Sequence, residues 1–244
     1  MPLNNGLARK QRIEQAIERR LSSLRSKDSS IHDPKRTVLL FYTIAIFAKV
    51  ANSGKNTIEK KDKDSVEISK EIKLFIEILA IPKSEIEKTV KFYIEATKDE
   101  TNVILYAKQI ANFFSGNITL LEKFARDLMN FSNQLGPFNQ TKIEYLKLIF
   151  QTINLNDNFF KMILKQYMLP QNYTSYSLLQ IGQNITFEEL KKAYRAAVRD
   201  YHPDNFSSTT TEKFIIEIMN EKFSLLTNAY EKIQIKHGFK VPKN

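Results

Sequence analysis

The chain has no cysteine and no tryptophan, and it carries only three histidines, six glycines and seven prolines in 244 residues. Without cysteine there is no disulfide, no thiolate nucleophile and no cysteine-ligated zinc. Such a chain suits a reducing compartment. The histidines, His32, His202 and His237, are scattered. No paired carboxylates, nucleophile–base set or acidic cluster stands out, so no catalytic residue, no metal and no cofactor is expected. The shortage of glycine and proline, with few alternating apolar runs, points to an all-α fold. Long hydrophobic runs are also missing. The longest, Val38 to Ala48, breaks at Lys49, short of the roughly 20 residues that span a bilayer. Residues 1–36 are polar and charged and show no apolar core of a secretion signal,. The expected location is cytoplasmic, at most peripheral to a membrane.

Positive charge is what the chain has in excess, and it is unevenly placed. The formal total is +10, with nine Lys/Arg against four Asp/Glu in residues 1–36, eighteen against fifteen in 37–174, and ten against eight in 175–244. A nucleic-acid-binding fold carries its basic residues clustered on its body, so no specific nucleic acid is expected. In the tail, Ile13, Ala16, Ile17, Leu21 and Leu24 form a narrow apolar stripe among Arg9, Lys10, Arg12, Arg19, Arg20 and Arg25. A basic amphipathic helix over residues 7–25 either docks on protein or makes weak contact with an anionic surface. The stripe lacks Trp and Phe, which favours docking on protein. Ser22 to Lys35 reads as a flexible linker.

Residues 37–168 predict helices near 37–51, 65–80, 83–97, 101–115, 118–134, 139–153 and 156–168, separated by Asn, Gly, Pro and Ser. Stripes such as Ile72, Phe75, Ile76 and Leu79, or Leu121, Phe124, Leu128 and Phe131, or Ile143, Leu146, Ile149 and Phe150, suit burial in a bundle,. Ser53-Gly54-Lys55-Asn56-Thr57 is not a phosphate loop. Lys49 stands at the earlier glycine position, Asn56 replaces Ser/Thr, and no strand precedes it,.

Near the C-terminus Thr186, with Glu189 three residues on, writes a capping box. Leu190, Ala193, Tyr194, Ala197, Val198 and Tyr201 then recur as one stripe. Lys191, Arg195 and Arg199 follow each other at every fourth position on another face, with Lys192 beside them. Pro203 disfavours helical geometry at His202, so this helix ends near Tyr201. Asn205 to Thr209 is loop-like. Ile216, Met219, Phe223, Leu226, Tyr230 and Ile233 form a second stripe able to pack on the first. Two antiparallel helices thus flank a proline-stiffened tip, His202-Pro203-Asp204.

Several blocks around this tip resemble the J-domain of DnaJ-type co-chaperones, in that family's order and spacing, over roughly residues 175–236. They are Tyr176-Ser177-Leu178-Leu179-Gln180-Ile181, Glu189-Leu190-Lys191-Lys192-Ala193-Tyr194-Arg195, His202-Pro203-Asp204, Glu221-Lys222-Phe223 and Ala229-Tyr230-Glu231. The resemblance implies binding to a DnaK-type chaperone ATPase and stimulation of its ATP hydrolysis, with no bond-making step in this chain. It assigns the contact to His202, Pro203 and Asp204, with Asp204 accepting from an arginine of the ATPase. Lys191, Lys192, Arg195 and Arg199 steer toward an acidic partner surface.

The sequence departs from that family at five places. Gln180 stands where glycine is frequent. Ala196 and Ala197 replace a basic residue and a leucine, Asp200 replaces a lysine, and Asn205 follows the tripeptide in place of Lys or Arg. The thinner basic face implies a restricted choice of partner ATPase. It also motivates an alternative reading, a scaffold or adaptor whose J-like hairpin no longer stimulates the ATPase.

Val50 to Ile58 and Asn133 to Asn139 each look like a diverged helix-turn-helix repeat of the TerB-like fold. A TerB-like bundle with a C-terminal J-domain resembles the DjlA family of bacterial co-chaperones, as does the ending from Ala229 to Lys240. TerB-like turns imply metal binding through acidic residues. Here Asn52, Ser53, Asn133 and Gln134 stand in their place, so hard cations lack their carboxylates,. The DjlA family begins with a membrane-spanning segment; none is read in this sequence, so anchoring is not expected. The expected layout is a basic helix and linker over 1–36, a TerB-like bundle over 37–168, a linker over 169–174 and a J-domain over 175–244. The clients are not legible.

Overall fold

Four successive helices start at an asparagine. The computed structural model describes residues 34–53, 70–202, 204 and 211–239. The basic helix read over residues 7–25, the segment Gly54 to Ile58, Pro203 and the loop Asn205 to Thr209 lie outside the described residues. Among the described residues the chain is all helical, without strands. The first part comprises α1 (Pro34–Asn52), α2 (Lys70–Ile78), α3 (Ile86–Lys98, after a 3-10 turn at Lys83–Glu85), α4 (Val103–Phe114), α5 (Ile118–Leu135), α6 (Gln140–Thr152) and α7 (Asp157–Met168). Each span expected from the sequence between residues 37 and 168 holds one of these helices. Asn102, Asn117, Asn139 and Asn156 cap α4 to α7, each accepting a backbone N–H of the first turn,. The second part comprises α8 (Ser175–Leu178), α9 (Phe187–Arg199) and α10 (Lys213–His237).

Helix ends bear the mark of scarce glycine. Ala80, Asn154, Gln180 and Gly238 all take left-handed backbone angles, with φ of 48°, 62°, 54° and 65°. After each, an N–H returns to a carbonyl five residues back: Ile81 to Ile76, Leu155 to Phe150, Ile181 to Tyr176 and Phe239 to Gln234. This is the Schellman closure, which most often uses glycine. Only one of the four does so here.

The longest apolar run of the sequence becomes the spine of the first part. In α1, Phe41, Ile44, Ala45, Ile46, Phe47, Ala48 and Val50 are buried almost all round, as expected of a helix without a polar face. It contacts α3, α4, α5 and α6. Phe47 meets Phe75, Phe124 and Phe131 with ring centroids 5.2, 6.0 and 5.0 Å apart. At its C-terminal end, Lys49 pins Asp99. Its Nζ donates to the Asp99 carbonyl at 2.7 Å and lies 3.3 Å from Oδ2. Tyr106 and Thr101 donate to the same carboxylate at 2.7 and 2.8 Å.

A smaller cluster of Leu178, Leu179, Leu190, Leu226, Ala229 and Ile233 joins α8 and α9 to the later turns of α10. The earlier turns of α10 go elsewhere. Ile215, Ile218 and Met219 are buried in the first core, with Phe214 and Ile216 packed beside them, and α10 contacts α7. This corrects the expectation that the whole second stripe packs on α9. Between Phe214 and Met219 only Glu217 is polar, and one neighbouring helix cannot cover an apolar surface that wide. Among the described residues, no helix is long and apolar enough to cross a membrane.

Candidate functional site

The tip grows out of a well-fixed hairpin. Thr186 accepts the Glu189 N–H while the Glu189 carboxylate accepts the Thr186 N–H at 2.8 Å, so the capping box read from the sequence starts α9. The Glu189 carboxyl is held below its ordinary pKa by hydrogen bonds donated from the Thr186 N–H and the Thr186 hydroxyl. Leu190 is fully buried, Tyr194 stacks on Tyr230 with centroids 4.4 Å apart, and its hydroxyl lies 3.2 Å from Thr227 Oγ1. At the far end, Tyr176 and His237 are hydrogen-bonded at 2.9 Å, which ties α8 to the last turn of α10.

The basic residues divide by environment. Lys192, Arg195 and Arg199 lie on the exposed side of α9. Lys191 is half-buried, paired with Glu188 at 3.0 Å and set over the Phe187 ring at 4.6 Å. Arg199 Nε lies 3.8 Å from Asp200. Three of the four expected steering charges therefore project from the hairpin, and the fourth is engaged within its own helix.

His202 and Asp204 stand together at the tip, with Pro203 between them outside the described residues. The Asp204 N–H donates to His202 Nδ1 at 3.4 Å. The Asp204 carboxylate Oδ2 also lies 3.4 Å from Nδ1, so the imidazole and the carboxylate face each other across the tip. His202 meets the edge of Phe223 at 5.7 Å, so α10 supports the ring from below. The Asp204 side chain is 86% exposed, against 48% for His202. Asp204 is the more solvent-facing of the two, with one carboxylate oxygen turned to the His202 ring.

Sequence reading missed what lies behind the tip. Tyr201 is packed against both hydrophobic clusters; burial raises its hydroxyl pKa to about 12, with Asp200 adding to the rise. Lys222 lies over its ring at 5.7 Å, and burial lowers the Lys222 ammonium below its ordinary value. Asp200, read only as a lost lysine, acts electrostatically on the buried Lys142 of α6. Burial lowers the Lys142 ammonium and the charge of Asp200 opposes this. Lys142 Nζ donates to the carbonyls of Ser132, Gly136 and Pro137 at 3.5, 3.3 and 3.1 Å. Gly136 and Pro137 belong to the turn compared above with a metal-binding one, and an ammonium already satisfies their carbonyls. Among the described residues no group of three His, Cys, Asp or Glu side chains converges as a metal set. The sequence signal for Lys142 was slight, a single lysine in an apolar stripe.

The DnaJ domain family matches residues 174–236. Residues 174–236 are a DnaJ domain. Over 66 residues the chain is 33% identical to the co-chaperone protein DjlA of Photobacterium profundum, a match covering 27% of this chain and 24% of that protein. Over 70 residues it is 37% identical to the chaperone protein DnaJ of Mycoplasmopsis pulmonis, covering 28% and 18%. The chaperone protein DnaJ of a Nitratiruptor species is 36% identical over 53 residues, covering 22% and 14%. The chain thus spans a quarter or less of the length of these relatives. No solved structure matches the chain significantly.

Proposed function

We propose that this protein is a J-domain co-chaperone that binds a DnaK-type chaperone and stimulates its ATP hydrolysis through His202, Pro203 and Asp204. The observation that carries the reading is the exposed carboxylate of Asp204 beside His202, on a tip braced by Phe223 and inside a matched DnaJ domain. An exposed carboxylate on a fixed tip suits a charge-assisted bond to an arginine of the ATPase. Lys192, Arg195 and Arg199, with Lys191 as a shorter-reaching fourth, add steering toward an acidic surface. The chain then regulates catalysis that takes place on its partner, in the cytoplasm, and is not itself an enzyme. Under the same proposal residues 175–244 act as the J-domain, while residues 37–168, the TerB-like body, select the client or the location. Residues 1–36 add at most a weak contact with an anionic surface.

Single-turnover ATP hydrolysis by a DnaK-type chaperone tests this directly. Wild type is expected to accelerate hydrolysis, and His202→Gln and Asp204→Asn to return it to the rate of the chaperone alone. Truncating one partner of a buried charge pair costs about 2–5 kcal/mol, enough to remove the effect at any practical concentration. Equal acceleration by His202→Gln refutes the assignment of the tip. No acceleration by wild type, with partners still captured by Asp204→Asn, supports the adaptor reading instead.

A further inference from the structure

The two flanks of the tripeptide are gripped from outside the DnaJ domain's own core. Upstream, Tyr201 packs against both hydrophobic clusters, and its hydroxyl hydrogen-bonds the Phe138 backbone at the α5–α6 turn. Downstream, Phe214 meets Phe160 of α7 edge-on with centroids 6.4 Å apart, and Lys147 and Lys161 each lie 5.8 Å over its ring. Lys147 is also ion-paired with Glu212. Ile215, Ile218 and Met219 sink into the body's core, and Lys165 meets Glu221 at 3.2 Å at the edge of the contact. The outward side is uncovered: Lys192, Arg195, Arg199, His202 and Asp204 are all exposed.

Building on the function proposed above, we infer that the N-terminal body positions the tripeptide, gripping Tyr201 and residues 212–219 so that His202 and Asp204 leave the fold at a set angle. Because the body grips the tip from behind and leaves its face open, it pre-organises the contact and does not mask it. A pre-organised binding element loses less freedom when its partner arrives. Phe214 and Lys147 are then positioning residues, acting through the tip without touching the ATPase.

The test uses the full chain. Phe214→Ala removes the ring between Phe160 and the two lysines. Lys147→Glu repels Glu212, and Lys147→Glu with Glu212→Lys restores that pair. A fourth form carries Lys165→Cys and Glu221→Cys closed by a short bis-maleimide, feasible because the native chain has no cysteine. ATPase stimulation is measured against protein concentration, alongside hydrogen exchange at residues 196–202 and 211–219. Phe214→Ala and Lys147→Glu are expected to speed exchange in both segments and raise the half-maximal concentration about tenfold, or about 1.4 kcal/mol. The later turns of α10 stay protected, the charge swap recovers part of the loss, and the cross-linked form stimulates like wild type. Unchanged exchange, stimulation unaffected by freed flanks, or stimulation lost on cross-linking each overturns the inference. If wild type itself does not stimulate, the co-chaperone reading fails, and the exchange data alone decide whether the body holds the flanks.

Discussion

Gln180 occupies a backbone position that the rest of the chain's chemistry does not favour. Its φ of 54° closes α8, with Gln180 N–H on the Ser177 carbonyl and Ile181 N–H on that of Tyr176. For a residue with a Cβ this conformation costs about 1–2 kcal/mol. Gln180→Gly removes that strain but adds freedom to the unfolded chain worth about 0.5–1 kcal/mol. A net gain of about 0.5–1 kcal/mol is expected, seen as a rise of roughly 2 °C in a thermal melt; a fall would show that the Gln180 side chain matters more than its backbone. This strain was half legible, since the sequence shows Gln180 where glycine is frequent. Asp99 was not legible, because its partner Lys49 lies 50 residues away. Burial pushes the Asp99 carboxyl up, but hydrogen bonds from Tyr106 and Thr101 and the charge of Lys49 outweigh it, and the pKa is lowered on balance. A carboxylate with a depressed folded-state pKa stabilises the fold fully above its unfolded value, about 3.9. That contribution drains away as pH falls through the lower, folded value. Asp99→Asn should therefore cost about 3 kcal/mol at neutral pH, and denaturant titrations should find the difference from wild type shrinking below about pH 4. A difference independent of pH would mean that the carboxylate's charge plays no part.

Among the elements, α9 and α10 show where periodicity is informative and where it stops. Thr186, Glu189, Leu190 and Tyr194 are short-range signals, each satisfied within its own helix or by the facing turns of α10, so the start and inner face of α9 could be read directly. α1 was equally plain, an apolar run with no polar face and therefore a buried spine. α10 carries two stripes in one helix. Its later residues, Leu226, Ala229 and Ile233, follow the expected packing on α8 and α9, while Ile215, Ile218 and Met219 face the body. The apolar crowding from Phe214 to Met219 was visible, but a single sequence cannot say which distant surface will cover it. The tip's chemistry was legible for a related reason: His202 and Asp204 interact with each other and with Phe223, all within one hairpin. Its support from Phe160 and Lys147 depends on the tertiary arrangement alone.

At the scale of the whole molecule, α10 makes the body and the DnaJ domain depend on each other. One side of its early turns completes the core that holds Phe160, and its later turns complete the core that holds Leu190. Loss of either core leaves half of a 25-residue helix without its apolar cover. Burial of Ile218 at 3% exposure makes it a sensitive probe of this coupling. Ile218→Ala deletes three buried carbons at the shared surface, which costs about 2–5 kcal/mol. If the two parts were independent, the loss would appear in one of two separate transitions. If α10 couples them, wild type melts in one transition, with equal calorimetric and van't Hoff enthalpies, and Ile218→Ala shifts that transition whole. Hydrogen exchange then shows protection falling together in α4, deep in the body, and in α9, which Ile218 does not touch. Protection lost from α7 and the early turns of α10 while α9 keeps its own would show that the DnaJ domain stands alone.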